Sequence, residues 1–275
     1  MKHSYFAEVH ASPSSQLSGD GFIPPDSPAV NRAWEELKLT AAMDELSAPA
    51  ARREALLRLA GALGFQLRYA EEISMLSALI DEFPDDAALI RRRAARELTT
   101  LRCKAALKDF ARCAELGMNG PDTVYRDGLA RYFSGDYEGA MKSEEQCFAA
   151  SDEELGIGAI YWHTLAAWRI GAEPSLLRES YRSGMAVGHH FSYDRAMSLA
   201  AGYMSEEEMK AVIAAEDSDL EYPMVAYGYA RWLINEGRKE EGGALLKEIL
   251  KRDSFWIAYG FIGAWSDVNG NADEA

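Results

Sequence analysis

YRDGLARYFSGDYEGAMKSEEQC, residues 125–147, sets helix-forming runs around three small residues, Gly128, Gly135 and Ala140. A glycine inside a helix weakens it, so Gly128 needs a packing reason. Antiparallel helices whose axes approach to roughly 8–10 Å leave no room for large side chains on both sides of the crossing. Gly128 on a first helix and Ala140 on a second supply that room. Gly135, in SGDYEG, takes the left-handed conformation past the end of the first helix. The segment therefore predicts a helical hairpin, with Tyr137 wedged between its two helices.

The hairpin recurs. Stepping back by 34 residues aligns Gly128 with Ala94 and Ala60, and Ala140 with Ala106 and then Glu72, where the column weakens. Tyr137 aligns with Cys103 and Tyr69, and Cys147 with Cys113 and Leu79, while Pro84 stops a helix at the end of the first unit. Four columns in register at one period indicate a repeat architecture in which each hairpin buries its apolar face on the next. β-branched alternation is almost absent, and amphipathic stretches separated by Gly, Pro or Asp clusters predict about a dozen helices.

Bulk properties agree. A chain of 275 residues exceeds one compact core, so two domains or growth by repetition are expected. Hydrophobic residues make up 48% and charged residues 27%, the balance of a packed protein. With 29 Lys and Arg against 44 Asp and Glu, the formal charge of -15 repels phosphate backbones and anionic membranes. Three cysteines without a CxxC pair support neither a disulfide framework nor a zinc site; Cys113 and Cys147 fall in the small packing column and are expected to be buried and inert. No apolar run of signal-peptide or transmembrane length and no lipidation cysteine occurs, so no membrane insertion and a cytoplasmic location are expected.

The pattern in DTVYRDGLARYFSGDYEGAMKSEEQC resembles the tetratricopeptide repeat (TPR) family. In that register regular units run 53–86, 87–120 and 121–154. An irregular copy covers 157–190 through WRIGAEPSLLRESY, and a further one covers 223–256 with Ala230, Gly237 and Gly242 at the small positions. The tail WIAYGFIGAWSDVNGNADEA is similar to one more first helix. The resemblance implies an all-α, right-handed α-solenoid of about five helix-turn-helix units, irregular in its second half. The expected organisation is a flexible or extended N-terminal arm over 1–28, a helical cap over 29–52 closed by Pro49, three regular units over 53–156, an irregular unit with inserted helices over 157–222, and a unit plus terminal helix over 223–275. Between 185 and 222 the repeat lapses, but Ser205 with Glu208 forms a capping box predicting a helix over about 206–216. The second half, with YMSEEEMKAVIAAEDSD, is weakly similar to bacterial TPR lipoprotein adaptors.

The resemblance also implies a concave face built from the first helix of each unit. Transferring its positions gives a candidate peptide-binding row of Arg91, Leu98, Tyr125, Leu129, Tyr132, Phe133, Tyr161, Leu165, Trp168 and Tyr227. Tyr125 and Tyr132, like Tyr161 and Trp168, are seven residues apart and share a helix face. Exposed, such rings grip a partner segment; packed on neighbouring repeats, they are core. The Asn and Lys of the family's carboxylate clamp are missing. Arg58, Arg92 and Arg126 recur every 34 residues and are expected to pair with acidic groups of adjacent helices, the other reading being a ladder for an acidic peptide. His189, His190 and Asp194 suggest a metal, but adjacent histidines on a helix diverge by about 100°, so no metal or cofactor is expected. These features predict a non-catalytic adaptor or scaffold binding a peptide segment of another protein, with an acidic chaperone for secreted or apolar clients as the alternative and no nucleic-acid partner.

Overall fold

The computed structural model describes residues 13–17 and 48–270, and every regular element among them is an α-helix. The chain divides into two compact units, 1–118 and 119–275, so the boundary falls inside the stretch read as three regular repeats.

In the first unit, α1 (Pro13–Leu17) is followed by α2 (Ala48–Phe65), α3 (Tyr69–Glu82), α4 (Ala87–Thr99) and α5 (Cys103–Glu115). Consecutive helices from α2 onward pack on one another, burying Leu56, Ala60, Leu76, Leu79 and Leu89 between them. Two expectations change here. Pro49 does not close a helix but lies in the first turn of α2, where its missing N–H is no loss. Within the stretch read as an extended arm, α1 is helical; Gln16 and Leu17 are buried, and the Gln16 side-chain oxygen accepts a bond from the Ala70 N–H at 2.8 Å. The rest of that arm and residues 29–47 of the cap lie outside the described residues.

The second unit contains α6 (Pro121–Ser134), α7 (Tyr137–Ala150), α8 (Glu153–Ile170), α9 (Ser175–Ser180), α10 (Phe191–Ala200), α11 (Glu206–Ala215), α12 (Glu221–Asn235), α13 (Lys239–Ile249) and α14 (Tyr259–Asn269). The expected capping box forms at the start of α11, where the Ser205 hydroxyl accepts from the Glu208 N–H and the Glu208 carboxylate accepts from the Ser205 N–H. Sequential hairpins α6–α7 and α12–α13 are present, but α12 also packs on α8, α10 and α14.

One turn geometry links the hairpins of both units. Leu67, Leu101, Gly135 and Gly237, spaced by 34, 34 and three times 34 residues, all have left-handed φ of 57°, 59°, 85° and 82°. Each turn closes with the same two backbone bonds; in the third, Gly135 N–H donates to Tyr132 and Asp136 N–H to Arg131. This is the Schellman arrangement that satisfies the last carbonyls of a helix. The period read from side chains is therefore also a period of the backbone.

Gly128 has a different partner from the one its spacing suggests. Ala140 is buried, but a Cβ at Gly128 would collide with the Glu144 carboxyl, which is fully buried and has no hydrogen-bond partner on either oxygen. Burial, reinforced by the nearby Asp127 charge, pushes the Glu144 carboxyl well above its ordinary range near 4.5. The folded state thus binds a proton that the unfolded chain releases, so stability falls as pH rises above the unfolded value. Glu144→Gln should remove that dependence. The stability difference between variant and wild type should grow in the variant's favour by up to about 1.4 kcal/mol per pH unit from near pH 4.5 up to the folded pKa, measured by denaturant unfolding across pH.

Candidate functional site

The predicted row of rings does not line an open face. Leu98 in the first unit is buried, and so are Tyr125, Leu129, Tyr132, Phe133, Tyr161, Leu165 and Tyr227 in the second; Arg91 and Trp168 are half-buried. This corrects the expectation of a peptide groove, and in the second unit the cause is what covers the rings. Helix α10, from the stretch where the repeat lapses, brings Tyr193 to 4.5 Å from the Tyr161 ring and its hydroxyl to 3.0 Å from that of Tyr125. Helix α12 brings the Tyr227 hydroxyl to 2.9 Å from that of Tyr132. Trp162, which the repeat register passes over, sits at the centre and donates its indole N–H to the Tyr125 hydroxyl at 3.0 Å. Burial pushes the Tyr125, Tyr161 and Tyr227 hydroxyls well up, so they stay protonated hydrogen-bonding groups.

The arginine column is ion-paired, but of its three pairs only Arg92 with Glu72, at 2.6 Å, joins adjacent helices as expected; Arg58 pairs with Glu54 at 2.7 Å and Arg126 with Asp122 at 3.3 Å along their own helices, while Arg126 also donates to the Tyr259 hydroxyl at 2.6 Å. Cys103, Cys113 and Cys147 are buried; burial pushes Cys113 up to about 11 and Cys147 up to about 12, which leaves both of these as unreactive thiols at neutral pH.

The second unit holds a cleft of about 210 Å³ at one end of the ring cluster, lined by Tyr132, Phe133, Tyr137, Arg169, Ser266, Asp267 and Gly270. Helix α6 ends there, α7 begins there, and the last turns of α8 and α14 supply the charges. The Arg169 guanidinium lies 5.6 Å from the centre of the Tyr132 ring and 5.5 Å from that of Tyr137, and its Nε donates to the Tyr132 hydroxyl at 3.3 Å. It is also paired with Asp267. The other oxygen of Asp267 accepts from the Tyr227 hydroxyl at 3.1 Å and faces Arg231 at 3.5 Å. Burial opposes the Arg169 charge, but the surrounding tyrosine oxygens and Asp267 outweigh it and hold the group protonated.

Arg231 is buried, and its Nε has no hydrogen-bond partner. Two guanidiniums therefore share one carboxylate, leaving local positive charge on a chain of formal charge -15. Tyr132 and Phe133 are the two predicted residues that reach the cleft; Arg169 and Asp267 carried no sequence signal as a pair because they lie 98 residues apart. Among the described residues no helix is long and apolar enough to cross a membrane. No protein-family model matches the chain, and no curated protein matches it either.

Proposed function

We propose that this chain is a non-catalytic adaptor of TPR-like helical hairpins, which docks a partner protein by seating one acidic side chain or chain end in the Arg169 cleft. The observation that carries the reading is the Arg169 guanidinium in the wall of that cleft beside aromatic rings, whose partner carboxylate, Asp267, is shared with a second guanidinium, Arg231, buried outside the lining. Size supports it too. A cavity of about 210 Å³ is smaller than the roughly 300–1,000 Å³ that holds a metabolite or cofactor, and suits a single side chain. A carboxylate entering there would gain charge-assisted hydrogen bonds from a guanidinium already oriented by two rings. The cleft differs from the family's carboxylate clamp, whose residues this chain lacks.

Ser266→Trp tests the reading, because Ser266 lines the cleft and is half-buried at its rim, so a large ring there fills the space without truncating the core. Affinity capture from the native host should recover a dominant partner with wild type and lose it with Ser266→Trp, while Val268→Asp, at an exposed site on the same helix, retains it. A partner captured equally by Ser266→Trp refutes the docking site. Many loosely related apolar proteins retained by every variant would favour the holding-chaperone alternative.

A further inference from the structure

The stretch between α9 and α10 is the least regular part of the second unit, and it places His189 and His190 in a turn ahead of α10. Freed from helical geometry, their rings lie 4.2 Å apart. Both face Glu154, in the first turn of α8. The Nδ1 of His189 is 2.5 Å from a Glu154 carboxylate oxygen, and His190 donates its Nδ1–H to the Glu154 backbone carbonyl at 2.6 Å. One ligand atom from each of Glu154, His189 and His190 lies within 4.8 Å of the others. We propose that these three side chains bind a divalent transition ion of the zinc class.

Three observations converge. A metal-ligating histidine typically donates its second ring N–H to a carbonyl or carboxylate, which fixes the tautomer and presents the other nitrogen. The bond from His190 to the Glu154 carbonyl does this before any ion arrives, leaving Nε2 to coordinate. The backbone is held in place independently, because Glu153 accepts from the Ala186 N–H at 2.5 Å and pairs with Arg182. Gly188 takes a left-handed φ of 54° with its Cα against the Glu154 carboxyl, where a Cβ would collide. Glycine is thus needed twice at one position, and both needs keep the carboxylate beside the histidines.

The donor set selects the ion. Two imidazoles with one carboxylate suit Zn²⁺, Co²⁺ or Ni²⁺ over Ca²⁺ or Mg²⁺, which take oxygen-rich shells. His189 is 77% exposed and Glu154 41%, so the remaining coordination positions face water. Asp194 is not part of the set, since its carboxylate accepts from the Tyr181 hydroxyl at 2.8 Å. Bound there, the ion would tie the turn before α10 to the start of α8.

The test uses the untagged full chain titrated with Co²⁺, followed by visible absorption, and with Zn²⁺ by calorimetry and equilibrium dialysis. One equivalent of Co²⁺ should bind with d–d bands, be displaced by Zn²⁺ but not by Mg²⁺, and raise the melting temperature. His189→Ala, His190→Ala and Glu154→Gln should each weaken Zn²⁺ binding by more than the roughly 10–100-fold expected when a residue that merely orients a ligand is lost. The exposure of His189 makes its variant safe for folding. Gly188→Ala should weaken binding without removing any ligand. A His3→Ala/His10→Ala variant should bind as wild type does. Absence of saturable binding, binding unchanged in the three ligand variants, or binding lost only with His3 and His10 would each overturn the site.

Discussion

Trp162→Ala should destabilise the second unit by about 5 kcal/mol, the upper end of the range for truncating a buried aromatic. The indole is 1% exposed, and its ring centre lies 5.1 Å from those of Tyr132 and Tyr161, 5.5 Å from that of Phe133 and 5.9 Å from that of Tyr227. Those four rings come from α6, α8 and α12, so a single truncation opens a cavity that three helices share. Edge-to-face pairs add about 0.5–1.5 kcal/mol each beyond area burial, which pushes the loss above that of an isolated core side chain. The Tyr125 hydroxyl loses the indole donor but keeps Tyr193 at 3.0 Å, so no polar group is orphaned and the cavity dominates. Trp168→Ala is the contrast: that ring is half-buried and outside the cluster, and about 1 kcal/mol is expected. Urea unfolding followed by circular dichroism compares the two. Equal losses would mean that the ring cluster is not the core of this unit.

The same cluster shows where sequence reading succeeds and where it stops. Period, hairpin turns and the α11 capping box were legible because each is local: a small residue, a glycine past a helix end, a serine three residues before a glutamate. Leu67 and Leu101 hid the same left-handed turn, since leucine rarely adopts it and carries no turn signal of its own; only their distance from Gly135 and Gly237 reveals them. Whether the tyrosines of α6 and α8 face a partner or a neighbour was not local. It depends on α10 and α12, and on α14, whose Tyr259 and Asp267 meet Arg126 and Arg169; none of those distances is encoded in the spacing of the rings.

Histidines illustrate the converse error. The argument that adjacent histidines diverge holds on a helix, but the chain is in a turn at 188–190, and the third ligand candidate is Glu154 rather than Asp194. Sequence proximity drew attention to Asp194, four residues from His190. Glu154 lies 36 residues away and comes near only because Glu153 fastens the turn to α8.

Replacing Arg92 and Arg96 together by Met should cost the first unit about 3–5 kcal/mol, the loss expected when a buried carboxylate is stripped of its partners. Glu72 is fully buried between α3 and α4, with one oxygen 2.6 Å from Arg92 Nη2 and the other 2.8 Å from Arg96 Nε. It has no room to turn away, because the Cα of Gly64 lies against the carboxyl and a Cβ there would fall 2.5 Å from Oε2. Without the arginines the charge must stay desolvated or draw water into the helix interface. Either outcome costs more than the loss of Arg96 stacking 4.1 Å over the Tyr69 ring, for which about 1 kcal/mol is expected. Adding Glu72→Met should then recover most of the deficit, since replacing a whole buried ionic group by apolar side chains of similar volume is close to neutral. Urea unfolding of the double and triple variants separates the terms. If the triple variant is no more stable than the double, the loss comes from arginine packing along α4 and not from the unpaired carboxylate.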